Sequence, residues 1–116
     1  MATIPEEISN RIWLNCQELI NIINAAKSAE YVLFTRHGET ESTVNDLDTL
    51  QNIAEEATNN YQRLTNVTLR TATIQPQADA ATITILTETI SDVEARMAAR
   101  LRSIEEITIE WRLTDE

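Results

Sequence analysis

Four acidic side chains that lie close together in the sequence are the first candidates for chemistry. Glu39, Glu41, Asp46 and Asp48 fall within one short segment, and carboxylate oxygens are the ligands that Ca²⁺ and Mg²⁺ prefer. Their spacing corresponds to no recognised cation-binding loop. We therefore interpret them as a solvated acidic loop whose charge opposes the positive end of the dipole of a following helix. The sequence predicts no metal and no cofactor.

The only histidine lies in a short motif that suggests phosphate chemistry. The stretch from Leu33 to Thr40 reads Leu-Phe-Thr-Arg-His-Gly-Glu-Thr and resembles the Arg-His-Gly-Glu-Thr signature of the histidine phosphatase and phosphoglycerate mutase family. The resemblance implies a three-layer α/β domain in which His37 accepts a phosphoryl group, Arg36 binds phosphate and a second histidine assists. This chain has no second histidine and no alternation of strands with helices. We interpret the motif as a helix C-terminus, with basic residues in the last turn and Gly38 after it.

A phosphorelay module is the alternative enzymatic hypothesis. Small acidic helical bundles can carry one exposed phospho-accepting histidine, and His37 is the sole candidate. Those domains resemble one another in a His-x-x-Lys-Gly pattern, whereas Gly, Glu, Thr and Glu follow His37. Because these acids would repel a phosphoryl group, we predict no enzymatic activity and keep His37-dependent phosphotransfer as the alternative.

The basic residues cluster at one place in the chain. Arg96, Arg100 and Arg102 lie close together, with Asp92 four residues before Arg96 and Glu106 four residues after Arg102. On a helix these spacings allow ion pairs. The cluster therefore predicts a solvated, ion-paired face, and its functional alternative is a docking patch for an acidic partner.

Trp13 and Trp111 lie near the two ends of the chain. Tryptophan is enriched at protein interfaces, so both are interface candidates. Trp13 falls beside an apolar stripe and Trp111 falls on one, which favours a position in the core. The single cysteine, Cys16, also falls on an apolar helical face, where a thiol behaves as a small hydrophobic group.

Charge and hydropathy exclude several classes of function. The 19 acidic and nine basic residues give a net charge of −10, which repels a phosphate backbone and argues against nucleic-acid binding. The same charge leaves a weaker alternative, an acidic mimic of nucleic acid. No apolar run approaches the roughly 20 residues of a membrane-spanning helix, and no basic leader precedes an apolar segment. We expect a soluble, cytoplasmic protein with no membrane partner.

Apolar residues recur at alternating steps of three and four along most of the chain, which is typical of long helices packed side by side. We call each such row of residues a seam. The clearest seam runs from Pro76 to Leu113, and its members are Ile83, Leu86, Ile90, Val93, Met97, Leu101, Ile104, Ile107 or Thr108, and Trp111. One glycine and two prolines also suit a few long elements better than many short strands.

These patterns predict one all-α domain over residues 1–116, an antiparallel up-down-up three-helix bundle with long, coiled-coil-like helices at about 4–36, 43–70 and 76–113. Thr3 with Glu6, and Thr43 with Asp46, are candidate N-terminal caps. Alternating residues at 81–90 and 107–113 leave strands as the alternative there. Residues 31–34 suit either a helix end or a short strand, and we favour helix.

The third helix is predicted to be the longest and to project beyond its neighbours. An uncovered seam promotes self-association, so we expect a homodimer or a larger assembly. With three patterned helices, an acidic surface and no complete catalytic constellation, the sequence favours a non-enzymatic helical module for protein–protein interaction or assembly.

Overall fold

A computed structural model describes residues 4–74 and 79–113. Within these ranges the chain forms three helices, α1 (Glu6–His37), α2 (Val44–Ala72) and α3 (Ala80–Trp111), and no strand. The prediction of an all-α three-helix bundle is therefore confirmed. Strands were the alternative for 81–90 and 107–113. Residues 81–90 and 107–111 lie within α3, residues 112–113 follow its end, and residues 31–34 lie within α1.

Contacts between helix ends establish the up-down-up arrangement. Arg36 in the last turn of α1 donates from Nη1 to the carbonyl oxygen of Arg112, just after α3, at 3.1 Å. Trp111 donates from Nε1 to Oδ2 of Asp46, in the first turn of α2, at 2.8 Å. The C-termini of α1 and α3 and the N-terminus of α2 thus meet at one end, which we call the loop end. The bundle measures 56 × 25 × 17 Å.

The predicted seams supply most of the core. On α3 six of the predicted residues are buried, namely Leu86, Ile90, Val93, Met97, Ile104 and Ile107. They pack against buried residues of α1 and α2 that include Leu19, Ile22, Leu33, Leu50, Ala57 and Leu64. Because a helix repeats every 3.6 residues, the three-four spacing keeps these side chains on the face that the neighbouring helices cover.

In the threonine-rich parts of α2 and α3 the hydroxyl groups bond within the helix. Thr58 donates from Oγ1 to the carbonyl oxygen of Ala54 at 2.9 Å, and Thr87 donates in the same way to Ile83 at 2.9 Å. This bond to the residue four positions earlier occupies a hydroxyl that would otherwise compete for backbone groups. The low helix propensity of threonine is thus outweighed by seam burial.

The starts of α1 and α3 differ from the prediction. Helix α1 begins at Glu6 after Pro5, with no side-chain cap, and Thr3 lies outside the described residues. Helix α3 begins at Ala80, and the Oδ1 atom of Asp79 accepts a hydrogen bond from the backbone N–H of Thr82 at 2.8 Å. Asp79 is therefore the N-cap of α3 rather than part of its first turn. Pro76, the predicted start, also lies outside the described residues.

The connection between α1 and α2 is held by Thr43, although not in the way predicted. Thr43 precedes α2, but its side chain makes no capping bond to that helix. Its Oγ1 atom instead donates to the carbonyl oxygen of Gly38 at 2.7 Å and accepts from the backbone N–H of Thr40 at 2.9 Å. Gly38 has a φ of 70°, and its N–H donates to the carbonyl oxygen of Phe34 at 2.8 Å. Helix α1 thus ends before Gly38, as predicted.

The helices are nearly equal in length, so the predicted overhang of the third helix is wrong. Helices α1 and α3 each have 32 residues and α2 has 29. The prediction overestimated α3 because it began that helix at Pro76. Among residues 4–74 and 79–113 no helix is long enough to project as predicted, so the overhang offers no support for self-association.

Candidate functional site

Four large apolar side chains lie exposed along one side of α1. Trp13 is 64% exposed, Ile20 53%, Tyr31 72% and Phe34 55%. Their separations of seven, eleven and three residues keep them on one helical face, since a helix turns by about 100° per residue. We call this row the outer stripe. It is a second apolar row, distinct from the buried seam of the same helix.

The prediction that Trp13 belongs to the core is wrong. The buried seam of α1 includes Ile12 and Cys16, and Trp13 is the next residue after Ile12. A rotation of about 100° per residue turns its indole away from the helices that cover Ile12. Trp13 therefore remains an interface candidate, whereas burial raises the pKa of the Cys16 thiol and leaves it a core residue.

A furrow runs between α1 and α2 from the middle of the bundle to the loop end. Two adjoining cavities that share Lys27 and Gln51 form it. Its apolar lining consists of Ile23, Tyr31 and Phe34 from α1 and Leu47 and Ala54 from α2. Two members of the outer stripe thus border the furrow, and the other two, Trp13 and Ile20, lie beyond it toward the opposite end.

Four carboxylates and one ammonium group border the furrow, and they come from Glu30, Glu39, Asp48, Glu55 and Lys27. Lys27 pairs with Glu30, with 2.7 Å between Nζ and Oε1. The carboxylates of Glu39, Asp48 and Glu55 form no ion pair with another described residue, and each of these side chains is exposed. The border of the furrow is therefore strongly negative.

The predicted basic cluster is mostly ion-paired within the bundle. The expected pair between Arg96 and Asp92 is present at 3.1 Å. Arg96 also reaches Glu56 on α2, 3.2 Å away, and Arg100 donates from Nε to the same carboxylate. Arg102 is exposed and pairs with no described residue, so the expected pair with Glu106 is absent. Two of the three arginines thus join α3 to α2.

These pairs shift the pKa values of the carboxyl groups. The hydrogen bond from Arg100, with a smaller contribution from Arg96, lowers the pKa of Glu56. On the α1 side, the guanidinium of Arg11 lies 2.8 Å from Glu94, and its hydrogen bond lowers the pKa of that carboxyl group. The carboxylates of Glu56 and Glu94, which lie where α3 meets its two neighbours, are therefore paired with arginines of the same chain.

At the loop end His37 lies against Trp111, with ring centroids 4.9 Å apart and planes inclined at 53°. Trp111 packs half-buried against the edge of the core and donates to Asp46, so it agrees only in part with the predicted core position, and it also contacts an exposed histidine. Among residues 4–74 and 79–113, no three histidine, cysteine or acidic side chains converge as metal ligands would. The geometry supports a helix junction at this end.

Sequence reasoning missed the outer stripe and the furrow. The signal for the stripe was present, since Trp13 and Ile20 are seven residues apart and Tyr31 and Phe34 continue the same face. Trp13 was instead placed beside the apolar stripe of the first helix and favoured for the core, and residues 31–34 were interpreted only as a helix end or a short strand. The furrow had no local signal, because it depends on how α1 and α2 pack.

In the part of the chain that the structure describes, no helix combines the length and apolar character needed to cross a membrane. Comparison of the chain with protein-family models, with curated proteins and with solved structures finds no match.

Proposed function

We propose that the protein is a non-enzymatic interaction module whose partner, another protein or a second copy of this chain, binds the outer stripe. The observation that carries the proposal is the exposure of Trp13, Ile20, Tyr31 and Phe34 on one face of α1. Single exposed apolar residues are common on proteins, whereas several large ones along one helical face mark an interaction surface.

The character of these side chains supports the same proposal. Three of the four are aromatic, and large aromatic residues contribute much of the binding energy at protein interfaces because each buries a large area. The partner would gain this energy without any rearrangement of the bundle, since the stripe lies on a regular helix whose opposite face is buried. The proposed role is therefore binding through a preformed surface.

A capture experiment tests this function. A variant with Trp13, Ile20, Tyr31 and Phe34 all changed to Gln keeps residues that favour helix and removes the apolar row. Its matched control changes three exposed apolar residues elsewhere, Leu69, Ile85 and Ile109, to Gln. Proteins captured from native lysate are identified for each form, and light scattering gives the mass of each purified form.

We expect a defined partner, or a mass above that of the monomer, for the wild type and for the control variant. The stripe variant should lose that partner or that mass while its circular dichroism remains helical. The proposal is contradicted if the wild type is monomeric without a partner, or if the stripe variant binds as well as the wild type does.

A further inference from the structure

We infer that the furrow between α1 and α2 binds a basic amphipathic helix from a partner protein. This inference rests on the interaction role proposed above and names the chemistry of the partner. It follows from three properties of the furrow: its length and shape, its apolar lining and the uncompensated charge at its border.

The shape of the furrow fits a helix. On α1 its lining extends from Ile23 to Phe34 and on α2 from Leu47 to Asn59, or about 16–18 Å at 1.5 Å per residue. A partner helix of three turns spans that distance. Ala54 has a small side chain, which lets a third backbone approach the two helices closely. A helix satisfies its own backbone hydrogen bonds, and the furrow offers no sheet edge that could pair with an extended chain.

The lining offers the apolar contacts that such a helix needs. Tyr31 and Phe34 are largely exposed at one side, and Leu47 is buried beneath them. Residues of the partner at positions i, i+3 and i+7 would cover these rings and occupy the space above Ala54, in the manner of helix-in-groove recognition. Docking would form a local four-helix arrangement and bury the part of the outer stripe nearest the loop end.

The unpaired carboxylates at the border of the furrow favour a basic partner helix over an acidic one. Ion pairs join α3 to both of its neighbours, as in Arg100 with Glu56 and Arg11 with Glu94. Between α1 and α2 the carboxylates of Glu39, Asp48 and Glu55 have no cationic partner among the described residues. Lysine and arginine residues flanking the apolar face of a partner helix would supply the missing cations.

The same charges disfavour a second copy of the chain as the occupant. Each copy carries a net charge of −10, and the furrow border is acidic in both copies, so two furrows would repel each other at low salt. Four arginines of a second copy, Arg11, Arg63, Arg96 and Arg100, are already paired with carboxylates of their own chain. A basic partner meets no such repulsion.

The test measures binding of a labelled synthetic peptide by fluorescence anisotropy. The probe is a 15-residue helix of leucine and lysine, with leucines at i, i+3, i+4 and i+7. Two control peptides have the lysines replaced by glutamates, or the same composition with the leucines spread around the helix. We expect both controls to bind at least about tenfold more weakly than the probe, since each loses either the charge or the apolar match.

Variants of the protein show where the probe binds. Phe34→Ala should weaken binding by about tenfold, while Leu69→Ala, at an exposed residue of α2 outside both the furrow and the outer stripe, should change it by less than about twofold. Changing Glu39 and Glu55 to Gln and Asp48 to Asn should weaken binding and flatten its dependence on salt. The matched control neutralises three exposed acids of α3, Glu88, Glu105 and Glu106, and should leave the affinity within about twofold of the wild type.

Three results would overturn the inference. Equal weakening by the two charge variants would mean that the peptide responds only to net charge. An unchanged affinity in Phe34→Ala would exclude the furrow. A dimer of the free chain that Phe34→Ala dissociates would make a second copy the occupant. If this inference fails but capture of the partner still depends on Trp13 and Ile20, the proposed function stands. If the variant with all four stripe residues changed keeps its partner, the proposed function and this inference are both wrong.

Discussion

The imidazole of His37 and the indole of Trp111 lie 4.9 Å apart between ring centroids, and this contact joins the last turn of α1 to the last turn of α3. The same indole donates to Asp46 at the start of α2. Trp111, which belongs to α3, therefore contacts both α1 and α2 at the loop end. The motif around His37 thus serves as part of a helix junction, which agrees with its interpretation as a helix C-terminus.

We expect Trp111→Ala to lower the free energy of unfolding by about 2–3 kcal/mol, because it removes a half-buried ring that packs against the core. His37→Ala should cost only about 0.5–1 kcal/mol, the lower part of the range for an aromatic pair, because the imidazole is exposed. Trp111→Phe keeps the ring contact and loses the hydrogen bond to Asp46, for an intermediate cost of about 1 kcal/mol. Urea unfolding measures all three, and equal costs for His37→Ala and Trp111→Ala would contradict this order.

Leu50 tests the buried part of the bundle. It is fully buried on α2, so Leu50→Ala should destabilise the fold by about 3 kcal/mol through lost burial and the cavity left behind. Leu69 lies on the same helix and is 64% exposed, and Leu69→Ala should change stability by less than about 0.5 kcal/mol. Thermal or urea unfolding of the two variants compares them directly, and similar losses would mean that the seam of α2 is misassigned.

The paired carboxylate of Glu56 makes stability depend on pH. Because Arg100 and Arg96 lower the pKa of Glu56 in the folded state, its contribution is fully present above the pKa of the unfolded chain, about 4.3. The contribution is lost as pH falls through the lower folded value. The side chain is 24% exposed, so solvent screens the pair, and Glu56→Gln should cost about 1 kcal/mol at pH 7.

The difference between wild type and Glu56→Gln should therefore shrink as the pH is lowered below about 4.3. Glu55→Gln is the matched control, since Glu55 is adjacent, exposed and without an ion pair to a described residue. It should change stability by less than about 0.5 kcal/mol at either pH. Urea unfolding at a series of pH values provides the data. A cost of Glu56→Gln that stays constant down to strongly acidic pH would rule out the ion pair as its source.

Thr43 tests the connection between α1 and α2. Its hydroxyl is buried and bonds to both Gly38 and Thr40. Thr43→Val has nearly the same shape but leaves those two backbone groups without a partner, which should cost about 1–3 kcal/mol. Thr43→Ser keeps the hydroxyl and loses one methyl group, at about 1 kcal/mol. Chemical denaturation distinguishes the two, and a serine variant less stable than the valine variant would contradict the role of these bonds.

Incubation with an acyl phosphate donor tests the enzymatic alternative. We expect no acid-labile phosphate on the wild type, and no difference between it and His37→Gln. The imidazole contacts Trp111, the adjacent guanidinium of Arg36 already donates to Arg112, and Glu39 is two residues away in the chain. Phosphate that is present on the wild type and absent from His37→Gln would restore the phosphotransfer hypothesis.

The core was largely predictable because its signal is local. Val93 and Met97 are four residues apart on a seam whose period matches the helix, so their burial followed once helices were expected. Trp13 was misassigned because the first seam has apolar neighbours on both sides, and periodicity alone does not locate the edge of a wide stripe. The edge of the buried face is set by the neighbouring helices that cover it, and their positions depend on the packing of the whole bundle.

Contacts between helices could not be predicted from the sequence for the same reason. The pair of Asp92 with Arg96 spans one helical turn and was expected from spacing alone. The contact between Glu56 and Arg100 spans 44 residues and depends on the axial register of α2 against α3. The furrow likewise depends on where α1 and α2 lie relative to each other, so its lining could not be deduced from the pattern of either helix.

An odd number of helices has a mechanical consequence. Helix α1 begins at one end of the 56 Å bundle and α3 finishes at the other, so tension applied through Ile4 and Leu113 acts along the long axis. Parallel helices pulled in this way slide past each other, and their side contacts, including the pair of Arg11 with Glu94, resist together instead of separating one at a time. Tension along the long axis would therefore load these helix contacts in shear.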